Sequence, residues 1–408
     1  MTSKIYRKYS ICFVILFIFP LILSFAETFR FKYKTGDKYR ILSKVISKHY
    51  INGKYTQTYE GINKAVLTVD KKRGQSAFLS GTYYFFKDII AGSVVPFEFE
   101  KQYYSAFWRD ELGRFEIDDQ YAMPVIRHIP TFPEQNIEPG YEWHAPAEDV
   151  QDFFYNSDFK EDLVRIPLEA HYRYLGKKTI NKVELDMFSI HYAVNFYYSK
   201  WSKSNARVVR ILGYSSIIYY FDNKKGIPHS QEETFDYIFV LRDGQTHEFK
   251  ATSTGLIEEI IPLNKEKIKN EVQDEIIKQK IEDTSIKKDT RGIIISLENI
   301  HFAPNSAKLM PQEKDRLIKI AKILSQYKNS DLMVVGHTAY APQYSEQAHN
   351  TLSLERAKTV SQFLLELNAV ANNKLSFTGK GFHEPIADND TEENRKKNRR
   401  VEIIILDN

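Results

Sequence analysis

The hydrophobic pattern of this 408-residue chain changes period at Pro262, and that change limits what each part can fold into. Before it, apolar residues recur at every second position. Phe29, Phe31 and Tyr33 alternate with Arg30, Lys32 and Lys34, as expected of a strand with one apolar and one wet face. After it, Ile268, Val272, Ile276 and Ile281 recur at spacings near four, the stripe of an amphipathic helix. Strand-like and helix-like segments then alternate to the C-terminus. A chain this long exceeds one ordinary compact domain. The pattern therefore predicts a multidomain protein. Residues 27–262 are read as mostly antiparallel β, an open half-barrel or a sandwich. Residues 263–291 are read as a charged helical linker, and residues 292–408 as an α/β sandwich with a mixed sheet.

The 27 Phe and 26 Tyr favour strands over helices. Asn52-Gly53 is a short hairpin signal. Further strands are predicted over 39–46, 65–69, 76–86, 94–99, 103–108, 170–175, 183–198, 207–212, 215–221, 237–241 and 246–251. Residues 122–168 interrupt this rhythm with Pro124, Pro130, Pro133, Pro139, Pro146 and Pro167. The interruption is either a long covering loop or a boundary between two β-subdomains. Beyond Pro262, a helix is predicted over 264–282 and a charged, flexible joint over 283–291. Strands follow over 292–302, 332–335, 375–378 and 401–406. Pro311 suits the first position of one helix, and Leu352, Ala357, Val360 and Leu364 line a second.

The first 26 residues read as a cleaved secretory leader. Lys4, Arg7 and Lys8 precede an uncharged apolar run from 11 to 25, and Ser24-Phe25-Ala26 offers small residues for cleavage. The run is shorter than the roughly 20 residues that span a bilayer. Cys12, the one cysteine, sits inside it, so disulfides and thiol chemistry are not expected beyond it. Without those three cations the chain carries 54 basic against 53 acidic residues, which gives no electrostatic case for nucleic acid. Nucleophile, metal, P-loop and dinucleotide motifs are absent. The expectation is no enzyme, no cofactor and no metal; His301, His349 and His383 lack ligand spacing.

Several short motifs run in order through the last third of the chain. They are Ile300-His301-Phe302 with Asn305-Ser306-Ala307, Val334-Val335-Gly336-His337-Thr338, Leu352-Ser353-Leu354-Glu355-Arg356-Ala357, Gly379-Lys380-Gly381 and Asn398-Arg399-Arg400-Val401-Glu402-Ile403. Together they make residues 292–408 resemble the OmpA C-terminal family, which includes peptidoglycan-associated lipoproteins and flagellar stator B proteins. The resemblance implies an exported envelope protein, periplasmic and associated with the outer membrane, that tethers to peptidoglycan stem peptides. In that family an Asp after the "GHT" motif holds the diaminopimelate ammonium, and the Arg of "LSxxRA" holds a carboxylate. Arg356 stands at the Arg position. Thr338, Asn350 and Asn305 fall beside it as candidate contacts, with His349, Asn398 and Arg399 more remote.

Ala339 stands where the Asp belongs, and a methyl group cannot accept from an ammonium. Three readings follow. Glu346, in a loop about two residues longer than usual, replaces the Asp. Alternatively, the domain binds the wall weakly or binds a different peptide. In the third reading it has lost wall binding and serves as a protein–protein interaction module. For the β-rich region the expected partner is an envelope protein or an apolar ligand. An outer-membrane β-barrel is the competing reading there.

Overall fold

The computed structural model describes residues 26–87, 89–90, 95–152, 163–197, 208–260, 263–289, 291–303 and 306–407. The leader, apart from Ala26, and Pro262 lie outside the described residues.

The β-rich region contains β1 (Lys38–Ile51), β2 (Lys54–Arg73), β3 (Ser76–Phe86), β4 (Ile89–Ile90), β5 (Phe97–Arg109), β6 (Phe115–Ile117), β7 (Ile126–Arg127), β8 (Glu142–Gln151), β9 (Val164–Ile180), β10 (Val183–Tyr197), β11 (Val208–Asp222), β12 (Ile227–Leu241) and β13 (Thr246–Glu259). All pair antiparallel in the order β7-β8-β9-β10-β11-β12-β13-β1-β2-β3-β5-β6, and β4 lies against β2. Asn52 and Gly53 take positive φ, 51° and 74°, in the β1–β2 turn, as a tight hairpin requires. Several short predicted strands are parts of longer ones: 207–212 and 215–221 both lie on the course of β11.

The sheet curls around one large core rich in aromatic residues, with a smaller cluster at Ile62, Phe86 and Phe97. Phe132, in the proline-rich interruption, packs on Phe29, Phe31, Phe188 and Phe221 with centroids 4.9–5.7 Å apart. Phe132 thus plugs the main core, while β7, β8 and the start of β9 also fall within 122–168. Residues 29–34 differ from expectation. They form no ladder strand but run extended through the core, with Phe29, Phe31 and Tyr33 buried and Arg30, Lys32 and Lys34 turned outward. The period-two signal reported sidedness correctly. It could not report pairing, because a chain threaded along a core shows the same alternation. Along β9 the outward positions include Glu169, His171 and Arg173, all exposed.

The C-terminal region holds α1 (Lys265–Lys278), β14 (Thr284–Lys288), β15 (Gly292–Glu298), α2 (Pro311–Leu324), β16 (Leu332–Gly336), α3 (Glu346–Glu366), β17 (Leu375–Gly379), α4 (Glu392–Asn398) and β18 (Arg400–Leu406). Its mixed sheet runs β14-β15-β18-β16-β17, with β16 and β17 parallel. α1, α2 and α3 share one apolar core with the sheet. Asn264 caps α1 by accepting from the Lys267 amide at 3.0 Å. The predicted flexible joint contains an ordered edge strand, β14, paired to β15 from Thr284 to Lys288. Its lysines suggested mobility, but charged side chains are also how edge strands face water.

The two regions meet at β17. Ser376 and Phe377 pair parallel with Phe97 and Glu98 of β5, so the β-rich region covers that sheet edge. Nearby, Asp331 is buried and takes Lys64 at 3.0 Å, Arg40 at 3.8 Å and Lys374 at 3.9 Å.

Candidate functional site

The site is built around the first turns of α3. Ser345 is extended and its Oγ accepts from the Ala348 amide at 3.2 Å, so the helix starts at Glu346, six residues before Leu352, the first residue of its expected apolar stripe. His349, Ser353, Ala357, Val360 and Leu364 face inward. Two glycines let the helix lie close to the sheet. A Cβ on Gly336 would come within 2.0 Å of the Ser353 carbonyl oxygen, and one on Gly379 within 2.4 Å of the Leu354 amide.

The loop after β16 is pinned from several sides. The Thr338 amide donates to the Gly381 carbonyl at 2.8 Å. The Thr338 hydroxyl lies 3.1 Å from His349 Nδ1, and His349 Nε2 lies 3.2 Å from the Ala341 carbonyl. Thr338 and His349 are thus joined to each other, buried, and hold the loop. Ala339 is buried beside them. Tyr340 and Tyr344 remain about half exposed and pack around His349 and Phe382. Beneath the loop, His337, Arg400 and Glu402 are buried together. Burial alone would raise the Glu402 carboxyl, but His337 and Arg400 outweigh it and hold it below the usual carboxylate range.

The other sequence candidates fall in different places. Asn398 is fully buried and spends its amide on the backbone of Ile386 and Ala387. Arg399 pairs with Glu392. Asn350 lies against Gly381, where a Cβ would meet its Oδ1 at 2.3 Å. Glu346 sits in the first turn, exposed, and its carboxylate is 3.1 Å from His383. Ten residues separate it from Arg356, about 15 Å along the helix. Asn305 lies outside the described residues.

Arg356 is held without an acid. Its Nε donates to the Ser306 carbonyl at 3.3 Å, and its guanidinium lies 4.8 Å over the Phe302 ring. Burial, and after it the charge of Arg399, push its pKa down to about 10. Arg316, Arg395, Arg399 and Arg400 each have a carboxylate within 4 Å; among the described residues Arg356 has none. Beside it an open groove is lined by Ser306, Ala307, Ala348, Thr351, Leu352 and Glu355. Thr351 and Glu355, one helical turn apart, line this groove although the motif does not single them out. Among the described residues no three His, Asp or Glu side chains converge as metal ligands.

Residues 301–399 match the OmpA family. The outer membrane protein Omp38 of Acinetobacter baumannii is 35% identical over 102 residues, 25% of this chain and 28% of Omp38. The peptidoglycan-binding protein ArfA of Mycobacterium tuberculosis is 35% identical over 106 residues, 26% of this chain and 32% of ArfA. The chain thus spans less than a third of the length of these relatives. Among solved structures, the periplasmic domain of Helicobacter pylori MotB is 31% identical, with a TM-score of 0.29, covering 32% of this chain and 83% of that one. The ordered motifs, the mixed sheet under its helices and the family match agree, and residues 301–399 of this chain are an OmpA family domain.

Proposed function

We propose that this protein is an exported envelope protein whose C-terminal domain tethers it to the cell wall by binding peptidoglycan stem peptides at Arg356. The observation that carries this reading is the guanidinium itself. It is partly desolvated, oriented by Ser306 and Phe302, and lacks an internal carboxylate among the described residues. A planar guanidinium left in that state is complementary to a ligand carboxylate, which it can hold by charge-assisted hydrogen bonds. Relatives named for outer-membrane location and peptidoglycan binding support the same compartment and ligand class. The β-rich region, with charged residues on outward strand positions, suits an aqueous setting better than the apolar outer band of a lipid-facing barrel. We assign it an envelope protein or apolar ligand as partner.

The test is co-sedimentation of the full mature chain with purified sacculi. Wild type is expected to pellet with them. Arg356→Ala is expected to bind about ten- to a hundredfold more weakly, the loss of a charged hydrogen bond worth about 1.5–3 kcal/mol. Ala339→Asp is expected to bind more tightly. Sacculus binding unchanged in Arg356→Ala would remove the proposal.

A further inference from the structure

The inner face of the β-rich sheet carries two acids that no described cation answers. On β12 and β13 the outward residues Glu232, Thr234, Lys250 and Thr252 are exposed, and the alternate residues Glu233, Phe235, Tyr237, Phe239, Phe249, Ala251 and Ser253 face inward. Ser215 of β11 is buried and its hydroxyl donates to Glu233 at 2.6 Å. Tyr192 of β10 stands opposite Ser215, and its hydroxyl is bonded to that of Tyr237. Asp149 of β8 is 0% exposed; Gln151 donates to its Oδ1 at 2.6 Å, and its Oδ2 has no partner. Burial raises the Tyr192 and Tyr237 hydroxyls, and the charges of both Glu233 and Asp149 raise them further, so the two carboxylates act on one pair of phenols. Among the described residues neither carboxylate has a Lys or Arg within 4 Å. Asp149 Oδ2 is unsatisfied in either protonation state, since a carboxylate oxygen needs a donor and a protonated one needs an acceptor. Glu233 is only partly buried, so a solute can approach the pair from its side. Rings continue this face away from the acids. Tyr237, Phe239, Phe249, His49 and Tyr59 follow one another with centroids 6.3, 5.9, 4.5 and 6.3 Å apart, and all five are partly exposed. Burial and His247 hold His49 below its usual pKa, so it adds no charge at neutral pH.

We infer that this inner face binds a small organic ammonium, with Glu233 and Asp149 answering its charge and the tyrosine and phenylalanine rings covering its apolar body. An ammonium supplies both the donors and the positive charge that the two acids lack, and aromatic faces attract it. A hard metal ion fits less well. Calcium takes about six to eight oxygen ligands, and no three acidic or histidine side chains converge among the described residues. The inference rests on the reading of the β-rich region as the seat of an apolar ligand and gives that ligand a charge. It is independent of Arg356 and of wall binding.

The test is calorimetry of the full mature chain at neutral pH with n-hexylamine, n-hexanol and n-hexanoate, which share an apolar body and differ in charge. Wild type is expected to bind hexylamine about tenfold more tightly than hexanol, and hexanoate more weakly than either. Glu233→Gln and Asp149→Asn are each expected to lose about tenfold for hexylamine and to keep the wild-type affinity for hexanol. Melting curves run alongside, and Glu233→Gln, altered at a partly exposed side chain, carries the test if Asp149→Asn does not fold. Co-sedimentation with phosphatidylethanolamine vesicles, set against phosphatidylcholine vesicles, separates the two sources of a primary ammonium: selective pelleting assigns a lipid head group, and hexylamine binding without it assigns a free amine. Equal wild-type affinity for hexylamine and hexanol, or hexylamine binding unchanged in Glu233→Gln, overturns the ammonium inference and leaves an apolar site. Binding of neither hexylamine nor hexanol overturns the apolar-ligand reading as well.

Discussion

Removing Asp331 should weaken the β-rich region even though the substitution lies in the other region. Asp331 is 2% exposed and sits just before β16. Lys64, on β2 of the β-rich sheet, is 7% exposed and reaches it at 3.0 Å, with Arg40 and Lys374 behind. Burial presses the Lys64 amine below its usual pKa, against the pull of Asp331. In Asp331→Ala this ammonium keeps its desolvation and loses its counter-charge, while Arg40 and Lys374 still repel it. Stranding one partner of a buried pair typically costs about 3–5 kcal/mol. Deprotonation of Lys64 would bring the loss toward the lower figure. The readout is built into the chain, because its three tryptophans, Trp108, Trp143 and Trp201, all precede Pro262 in sequence, and Trp108 and Trp143 lie on β5 and β8. With a urea m-value of about 3 kcal/mol/M, the tryptophan-reported midpoint should fall by about 1 M. Lys64→Met with Asp331→Leu removes both charges together and should recover most of the loss. A tryptophan transition unmoved by Asp331→Ala would show that the two regions unfold independently and that the cluster does not couple them.

Three other outcomes follow from the packing and the charges. Phe132→Ala, in a side chain 2% exposed and ringed by four phenylalanines, should cost about 3–5 kcal/mol by urea unfolding. Gly336→Ala drives a methyl group into the Ser353 carbonyl and should lower stability by about 1–3 kcal/mol and weaken sacculus binding with it. Asp149 is fully buried, and burial raises its carboxyl to about 6 against a hydrogen bond from Gln151. The folded state therefore holds this proton more tightly than the unfolded chain does. The associated stability is complete below pH about 4 and is lost as pH rises through about 6, a loss of about 3 kcal/mol. Asp186, raised to about 6 for the same first reason, adds to that slope. Asp149→Asn should roughly halve the fall in melting temperature between pH 4 and 7, and an unchanged slope would show that Asp149 is ionised in the fold.

How much the sequence disclosed differs between the regions for a physical reason. In the C-terminal region the signals were local. Asn264 caps α1, Pro311 opens α2 and the predicted strands are there, because caps, breakers and short periods act within a few residues. In the β-rich region the alternation marked faces, but pairing depends on partners far along the chain. β1 lies between β2 and β13, the latter some two hundred residues away, and no local pattern announces that. Residues 29–34 failed for the same reason, their alternation describing a plug and not a ladder. At the candidate site the motif singles out Arg356, whose guanidinium has no carboxylate partner among the described residues. Thr338, His349 and Asn398 were named as contacts, yet the structure spends their polar atoms inside the protein. Only packing decides whether a conspicuous polar side chain faces a ligand or its own backbone.

Position 339 illustrates how such a decision is made. An Asp at a site that is 8% exposed would have to be neutralised, either by a bound ammonium or by a basic neighbour. Here His349 already bonds Thr338 and the Ala341 backbone, and Tyr340 packs over it, so the loop is secured without any charge. An uncharged residue at 339 removes the desolvation cost of an empty acidic site and leaves the loop ordered whether or not ligand is present.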